Sequence, residues 1–291
     1  MPALPPFLGL PKEHRDPDRA RYVVLPAPYE RTVSYGKGTR HGPRAILAAS
    51  QQVEEYDEEL GRRTCEAGIH TAPPVRFAGR DARGHMREIA RRVRRHLERG
   101  QFVFTLGGEH TVTVGAVEAY LDRFPDLCLL QVDAHADLRD RYDGTPFSHA
   151  CVMRRFVGRC PFVAVGIRSL SEEEAEVIRR ERIPVWFARD LRKPGWQKRV
   201  AEGLGRHVYV TIDVDGLDPS VVPTTGTPEP GGIGWFELLE LLRLVALRSR
   251  IVGADVTELA PRPGFHAPDY AVAKLVYRLI GYVEWARDKA S

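Results

Sequence analysis

The sequence predicts an α/β fold, with three α-β-α layers around a mainly parallel central sheet. Strand-like and helix-like patterns alternate along most of the chain, as they do when parallel strands are joined by crossover helices. The strand candidates are near-continuous apolar runs, which suits strands buried on both faces. Residues with metal-ligand chemistry fall just beyond the carboxyl ends of three such runs, where open α/β sheets build their sites.

Taken in order, Tyr22-Val23-Val24-Leu25 reads as the first strand. A loop containing Tyr35, Gly36, Gly38 and Gly42 follows, and Pro43 opens a helix in its first turn, where a missing N–H costs nothing. Thr64 to Gly84, rich in Pro, Gly and Arg, reads as a surface excursion. Helix 85–99 carries Ile89, Val93 and Leu97 at helical spacing, and strand 102–106, helix 111–123 and strand 127–133 come next. Strand 161–166, helix 171–181, strand 184–187, helix 195–204 and strand 207–212 continue the alternation. Helix 235–247, strand 250–256 and helix 268–286 complete it. Without a repeat or low-complexity tract, residues 1–291 read as a single domain of ordinary size for this class.

Composition excludes several functions. Hydrophobic content of 43% and charged content of 28% fit a soluble globular protein. No stretch approaches the ~20 apolar residues of a membrane span. The start, Met1-Pro2-Ala3-Leu4-Pro5-Pro6, lacks the basic and apolar regions of a signal peptide, so a cytoplasmic protein is expected. Cys65, Cys128, Cys151 and Cys160 are scattered without a Cys-x-x-Cys pair, which argues against a structural zinc or a disulfide framework. Of the basic residues, 37 are arginine and six lysine, and Arg91, Arg92, Arg94 and Arg95 crowd one helix. No reading motif or interleaved aromatics accompany them, so a solvated face or subunit contact is expected rather than nucleic acid.

Three segments supply six candidate ligands without a thiolate. They are Gly107-Gly108-Glu109-His110, Asp133-Ala134-His135-Ala136-Asp137 and Asp213-Val214-Asp215. In an extended backbone, residues two apart point the same way, so Asp133, His135 and Asp137 can converge, as can Asp213 and Asp215. A lone Asp-x-Asp after a strand is usually a turn or cap. Four carboxylates and two imidazoles at three strand ends exceed what one divalent ion requires, and they read as a two-metal site. Oxygen and imidazole donors favour Mn²⁺ while leaving zinc, cobalt and iron open.

These motifs, with Ser148-His149-Ala150, Asp213-Val214-Asp215-Gly216-Leu217-Asp218-Pro219, Thr227-Pro228-Glu229-Pro230-Gly231-Gly232 and Gly253-Ala254-Asp255-Val256-Thr257-Glu258, resemble the arginase/agmatinase (ureohydrolase) family. The resemblance spans most of the chain and implies an arginase-like fold, two Mn²⁺ ions and an assembly of identical chains, a trimer or hexamer. It implies that His110 and Asp137 hold one ion, His135 and Asp215 the other, and that Asp133 and Asp213 bridge them. It implies hydrolysis of a guanidino compound to urea and an amine. Glu258 would bind the guanidinium, Asp137 would pass a proton to the departing amine, and His149 would be the mobile proton shuttle. Asp218, before Pro219, is expected to fix a turn instead of binding metal.

The substrate implied is a small guanidino-amine. Arginases of the family carry an aspartate for the α-amino group where this chain reads Gly166-Ile167-Arg168-Ser169, which disfavours arginine. Tyr142-Asp143-Gly144 and Ser148-His149-Ala150-Cys151 are similar to agmatinases. Pro261-Arg262-Pro263-Gly264-Phe265-His266-Ala267-Pro268-Asp269 resembles agmatinase-like enzymes of polyamine-making thermophiles. Agmatine, giving putrescine, and N1-aminopropylagmatine, giving spermidine, both fit. The longer substrate calls for distal negative charge, for which Asp143, Glu173 and Asp269 are candidates. Alternatives are hydrolysis of arginine or guanidinobutyrate, a deacetylase of related fold, and a ureohydrolase-like protein without catalysis.

Overall fold

Apolar residues on both sides of a strand are stable only if helices cover both faces of the sheet. The computed structural model, which describes residues 4–77 and 81–290, has that arrangement. Its strands are Tyr22–Ala27 (β1), Tyr56–Asp57 (β2), Arg62–Arg63 (β3), Ile69–Thr71 (β4), Phe102–Gly107 (β5), Leu127–Val132 (β6), Phe162–Ile167 (β7), Val185–Phe187 (β8), His207–Asp213 (β9) and Arg250–Thr257 (β10). Eight form one sheet in the order β4-β1-β5-β10-β9-β6-β7-β8. Every neighbouring pair in it is parallel. The remaining two, β2 and β3, pair as a small antiparallel hairpin.

The longer helices are Gly42–Ala49 (α1), Ala82–Leu97 (α2), Val112–Leu121 (α3), Glu172–Glu181 (α4), Trp196–Glu202 (α5), Trp235–Arg248 (α6) and Ala267–Ala290 (α7). Side chains from α1, α5, α6 and α7, among them Ile46, Val200, Leu242 and Tyr277, fill one core. Ile89, Val93, Val117 and Val177 from α2, α3 and α4 fill the other. The three predicted layers are present. Local chemistry sets the helix starts. Asp81 caps α2 through Gly84 N, so that helix begins before residue 85, and Ser171 with Glu174 forms a capping box on α4. On α2, Arg91 pairs with Glu88 and Arg94 with Asp122, while Ile89, Val93 and Leu97 are buried.

One expectation is corrected. The stretch Thr64 to Gly84 is not all surface excursion: Ile69–Thr71 is the edge strand beside β1, and Cys65, Ile69 and Ala72 are buried. Three residues are too short for periodicity to reveal a strand. Residues 78–80 of that stretch, like 1–3 of the N-terminal segment, lie outside the described residues. Among the described residues no helix is long and apolar enough to cross a membrane.

The order of strands places the site. From β6 the chain runs outward to β7 and β8, whereas from the adjacent β9 it runs the other way to β10, which lies beside β5, so chain direction across the sheet reverses between β6 and β9. At such a switch point the loops beyond the strand ends diverge and leave a crevice. The ends of β5, β10, β9 and β6 meet around it.

Gly253, at an irregularity in the β10–β9 register, gives room to a buried tyrosine. A Cβ at this position would lie 2.2 Å from the Tyr120 hydroxyl oxygen, and the Tyr120 side chain is enclosed. Gly253→Ala should therefore cost about 1–3 kcal/mol, the range for overpacking a core. Calorimetric unfolding at wild-type midpoint would contradict this packing.

Candidate metal centre

Each candidate ligand leaves the sheet differently. His110 follows β5 through Gly107-Gly108, and the second glycine is obligatory: a Cβ there would lie 2.0 Å from the Tyr29 carbonyl oxygen. That close approach lets Gly108 N and Glu109 N donate to the carbonyls of Ala27 and Tyr29, fixing the turn that delivers His110. Asp133 follows β6, Asp213 ends β9, and Glu258 lies just beyond β10, its N–H donating to Gly108 O at 2.7 Å.

The side chains converge. His110 Nδ1 lies 2.8 Å from Asp137 Oδ2, 3.2 Å from Asp133 Oδ2 and 3.5 Å from Asp213 Oδ2. His135 Nδ1 lies 3.0 Å from Asp215 Oδ2 and 3.8 Å from Asp133 Oδ1. Two groups of donors able to hold a cation result, His110 with Asp133 and Asp213, and Asp133 with His135 and Asp215. Asp133 belongs to both, with one oxygen toward each histidine.

All six predicted ligands are brought together, but not by strand alternation alone. Asp137 has φ +53°, a left-handed conformation unusual for a non-glycine residue. His135 sits in an isolated bridge to Ser169, and Asp215 lies in the 3-10 turn Val214–Gly216. His135 still pairs as a strand does, whereas at Asp137 and Asp215 the backbone has left the extended form and turns aim the side chains. Hydrogen bonds then hold the carboxylates: Gln131 Nε2 donates to Asp133 Oδ2 (2.8 Å), His135 N to Asp133 Oδ1 (2.7 Å) and Ala134 N to Asp215 Oδ1 (3.1 Å).

Electrostatics supply the test of fit. Burial first, and then the neighbouring Asp215, push the Asp133 carboxyl up. Burial and Asp133 raise Asp137 to about 7. Burial, with Asp215 and Asp133, holds Asp213 well above the carboxylate range. For His135, burial opposes the charge, but the hydrogen bond to Asp215 and the surrounding carboxylates prevail and raise it to about 10. Buried anions that repel one another in this way lack a cation, and oxygen and imidazole donors are those a hard or borderline divalent ion takes.

Residues behind the ligands, which the sequence reading did not single out, fix the ring of His110. Asp255 accepts hydrogen bonds from Tyr209 Oη and Thr211 Oγ1, both 2.7 Å. With its proton spent on Asp255, Thr211 Oγ1 must accept from His110 Nε2–H at 2.9 Å. That leaves Nδ1 as the nitrogen facing the carboxylates. A carboxylate inside the buried β10 run was the available signal for Asp255; nothing in the local sequence marked Thr211.

The other predicted residues border this cluster. Glu258, at φ +65°, accepts from His110 N through Oε1 at 2.7 Å. Burial and the charge of Glu109 push its carboxyl well up. His149 N donates to Thr32 Oγ1 at 3.2 Å, and burial lowers the ring's pKa. Asp218 accepts from the N–H groups of Ser220, Gly231 and Gly232, the turn role expected of it. Of the acids considered for a distal amine, Asp143 and Glu173 are exposed. Asp269 is buried with Oδ1 unpartnered, lining a cavity of about 470 Å³ with His266 and Tyr270. Cys151 is buried, and all four cysteines are free thiols.

Comparisons with known proteins find relatives over most of the chain. A family model described as the arginase family matches residues 20–281. The N(1)-aminopropylagmatine ureohydrolase of Synechocystis is 41% identical over 90% of this chain and 89% of its own. The agmatinase of Bacillus anthracis is 36% identical over 86% and 87%. The crystal structure of agmatine ureohydrolase from Thermoplasma volcanium superposes with a TM-score of 0.89 at 29% identity, covering 99% and 97% of the two chains.

If the carboxylates await a cation, Asp213→Asn should raise the unfolding midpoint of chelator-treated protein while shrinking the midpoint gain on adding Mn²⁺. Binding at a hundredfold over Kd is worth about 2.7 kcal/mol, so that gain is measurable by differential scanning fluorimetry. An unchanged gain in the variant would contradict the role of Asp213.

Proposed function

The chain belongs to the arginase family, and on that premise we propose that it hydrolyses the guanidino group of N1-aminopropylagmatine to urea and spermidine. The observation that carries the reading is the pair of donor groups sharing Asp133, with the carboxylate of Glu258 tied to the backbone of ligand His110. His110 and Asp137 would hold one Mn²⁺, His135 and Asp215 a second, with Asp133 and Asp213 common to both. When bound, such ions supply Lewis acidity and a water acidic enough to attack at neutral pH.

The remaining work falls to side chains. A guanidinium carbon is a poor electrophile because its charge is delocalised, and a carboxylate that pairs with the planar N–H groups localises it. Glu258 is the residue for that task, its Oε1 oriented by His110 N before substrate arrives. Water oxygen bonds to the guanidinium carbon, the bond from that carbon to the chain nitrogen breaks, and the departing amine takes up a proton. Asp137 can relay that proton from the attacking water. His149, held neutral near pH 7 by burial, can accept a proton and exchange it with solvent.

Substrate choice rests on Arg168 and on the relatives. Arg168 donates Nε to Pro230 O (3.1 Å), Nη1 to Gly166 O (3.0 Å) and Nη2 to the carbonyls of Asp215 (2.6 Å) and Glu229 (2.8 Å). It clamps two loops and is not free to meet a substrate carboxylate, which disfavours arginine and guanidinobutyrate. The Synechocystis relative named for aminopropylagmatine is more similar than the Bacillus one named for agmatine. Agmatine is the second reading, on the 36% identity. The reading carries with it a cytoplasmic trimer or hexamer of identical chains.

Urea release by Mn²⁺-loaded protein should show higher kcat/KM for N1-aminopropylagmatine than for agmatine, with arginine far below both. Preference for arginine would overturn the assignment, and metal uptake without turnover of any guanidino substrate would favour a non-catalytic protein. Glu258→Gln should lower kcat/KM by roughly 10²–10³, the loss typical of removing one aligned electrostatic partner. Near wild-type turnover in that variant would remove Glu258 from the site.

A further inference from the structure

We propose that Thr32 and Glu109 are positioning residues for His149, fixing the tautomer in which Nδ1 carries the ring proton and Nε2 is open. The inference rests on the reading of His149 as the proton carrier. Its basis is a chain of donors and acceptors whose shortest contact to the ring calls for a proton on Nδ1.

Glu109, in the Gly-Gly-Glu-His turn, is fully buried yet is not among the ligand groups. Its Oε2 accepts from the backbone N–H groups of Arg31 and Thr32, the latter at 2.7 Å. Its Oε1 accepts from the hydroxyls of Thr32 (2.7 Å) and Thr111 (2.6 Å). Four donors converge on one carboxylate, so Glu109 is an acceptor throughout. The single hydroxyl proton of Thr32 is therefore committed to Glu109, and Thr32 Oγ1 can only accept from other groups.

Two donors come from His149. Its backbone N lies 3.2 Å from Thr32 Oγ1, and its ring Nδ1 lies 3.2 Å from the same oxygen. That oxygen has no proton to give, so at this contact Nδ1 carries one; Ser148 Oγ, the other group near Nδ1, is farther away at 3.4 Å and its hydroxyl is free to accept. Burial keeps the ring neutral, so Nε2 holds a lone pair, and it has no hydrogen-bond partner among the described residues. His149 is thus a proton acceptor at Nε2. With the other tautomer, Nδ1 would face the Thr32 lone pair at 3.2 Å, keep only the 3.4 Å contact to Ser148 Oγ, and leave Nε2 able only to donate.

The loop bearing Thr32 is built to hold this register. Glu30 Oε2 accepts from Gly38 N (2.9 Å) and Arg40 N (3.0 Å), closing the loop on itself, and Gly36 N donates to Gly226 O (3.1 Å). Thr32 is some 117 positions from His149 in sequence, and only this closure brings them together.

The test is a double-mutant cycle in the Mn²⁺-loaded enzyme, reading kcat and KM for urea release. Thr32→Val should lower kcat roughly ten- to hundredfold, part of the ~10²–10⁴ that a placed acid or base contributes, with KM within about twofold. Thr32→Ser should restore kcat to within about threefold. In a His149→Gln background, Thr32→Val should cost nothing further, because the two act through one ring. Unchanged kcat in Thr32→Val, or a loss that adds in full to that of His149→Gln, overturns the proposal. Should Thr32→Val not fold, Thr32→Cys, a poor acceptor, is expected to show the same loss, and wild-type kcat there overturns it equally. If His149→Gln alone keeps wild-type kcat, the proton-carrier reading fails instead. Neutron diffraction then decides the tautomer by itself, with deuterium at Nδ1 expected and deuterium at Nε2 contrary to it.

Discussion

Mutual repulsion among buried carboxylates at one end of the sheet is the constraint on which the rest of this structure depends. Asp133, Asp137, Asp213 and Asp215 are each at least 95% buried, with the imidazoles of His110 and His135 set among them. A buried, unpaired charge is so costly that a chain tolerates such a cluster only where something else supplies positive charge. The fold works against that repulsion. The backbone turns, the Gln131 amide and the Thr211–Asp255 pair behind His110 hold donors in place that would otherwise spread apart. Asp133 is the keystone, since each of its oxygens faces a different histidine.

The same economy explains the glycine-rich and strained points near the crevice. Gly108 is glycine because the Tyr29 carbonyl crosses it, and that crossing seats both His110 and Glu109. Two non-glycine residues with left-handed backbone, Asp137 and Glu258, belong to the site. Such conformations persist where surroundings over-determine them, which is common where side-chain aim matters more than backbone comfort. Glu109 links the turn bearing His110 to the Thr32 loop and through it to His149, so the candidate ligands and the outer wall of the crevice are one hydrogen-bonded unit.

Much of this was legible in the sequence. The strand and helix alternation read off apolar runs corresponds to seven of the eight sheet strands, and the ligand motifs lie at the predicted strand ends. The missed strand of that sheet, Ile69–Thr71, and the hairpin Tyr56–Asp57 with Arg62–Arg63 are too short for length or periodicity to mark them. The six candidate ligands lie together, but strand alternation is not the whole reason, because a left-handed residue aims Asp137 and a 3-10 turn aims Asp215. Thr32 and Thr211 were invisible because a hydroxyl in a loop or strand has no pattern of its own. Their roles come from partners about a hundred positions away.

The most direct test of the account is anomalous diffraction at the manganese edge from crystals grown with Mn²⁺. Two ions per chain are predicted, with Asp133 coordinating both, His110 bound to one through Nδ1 and His135 bound to the other. A single ion, or two ions without Asp133 between them, would contradict the binuclear centre on which the proposed chemistry stands.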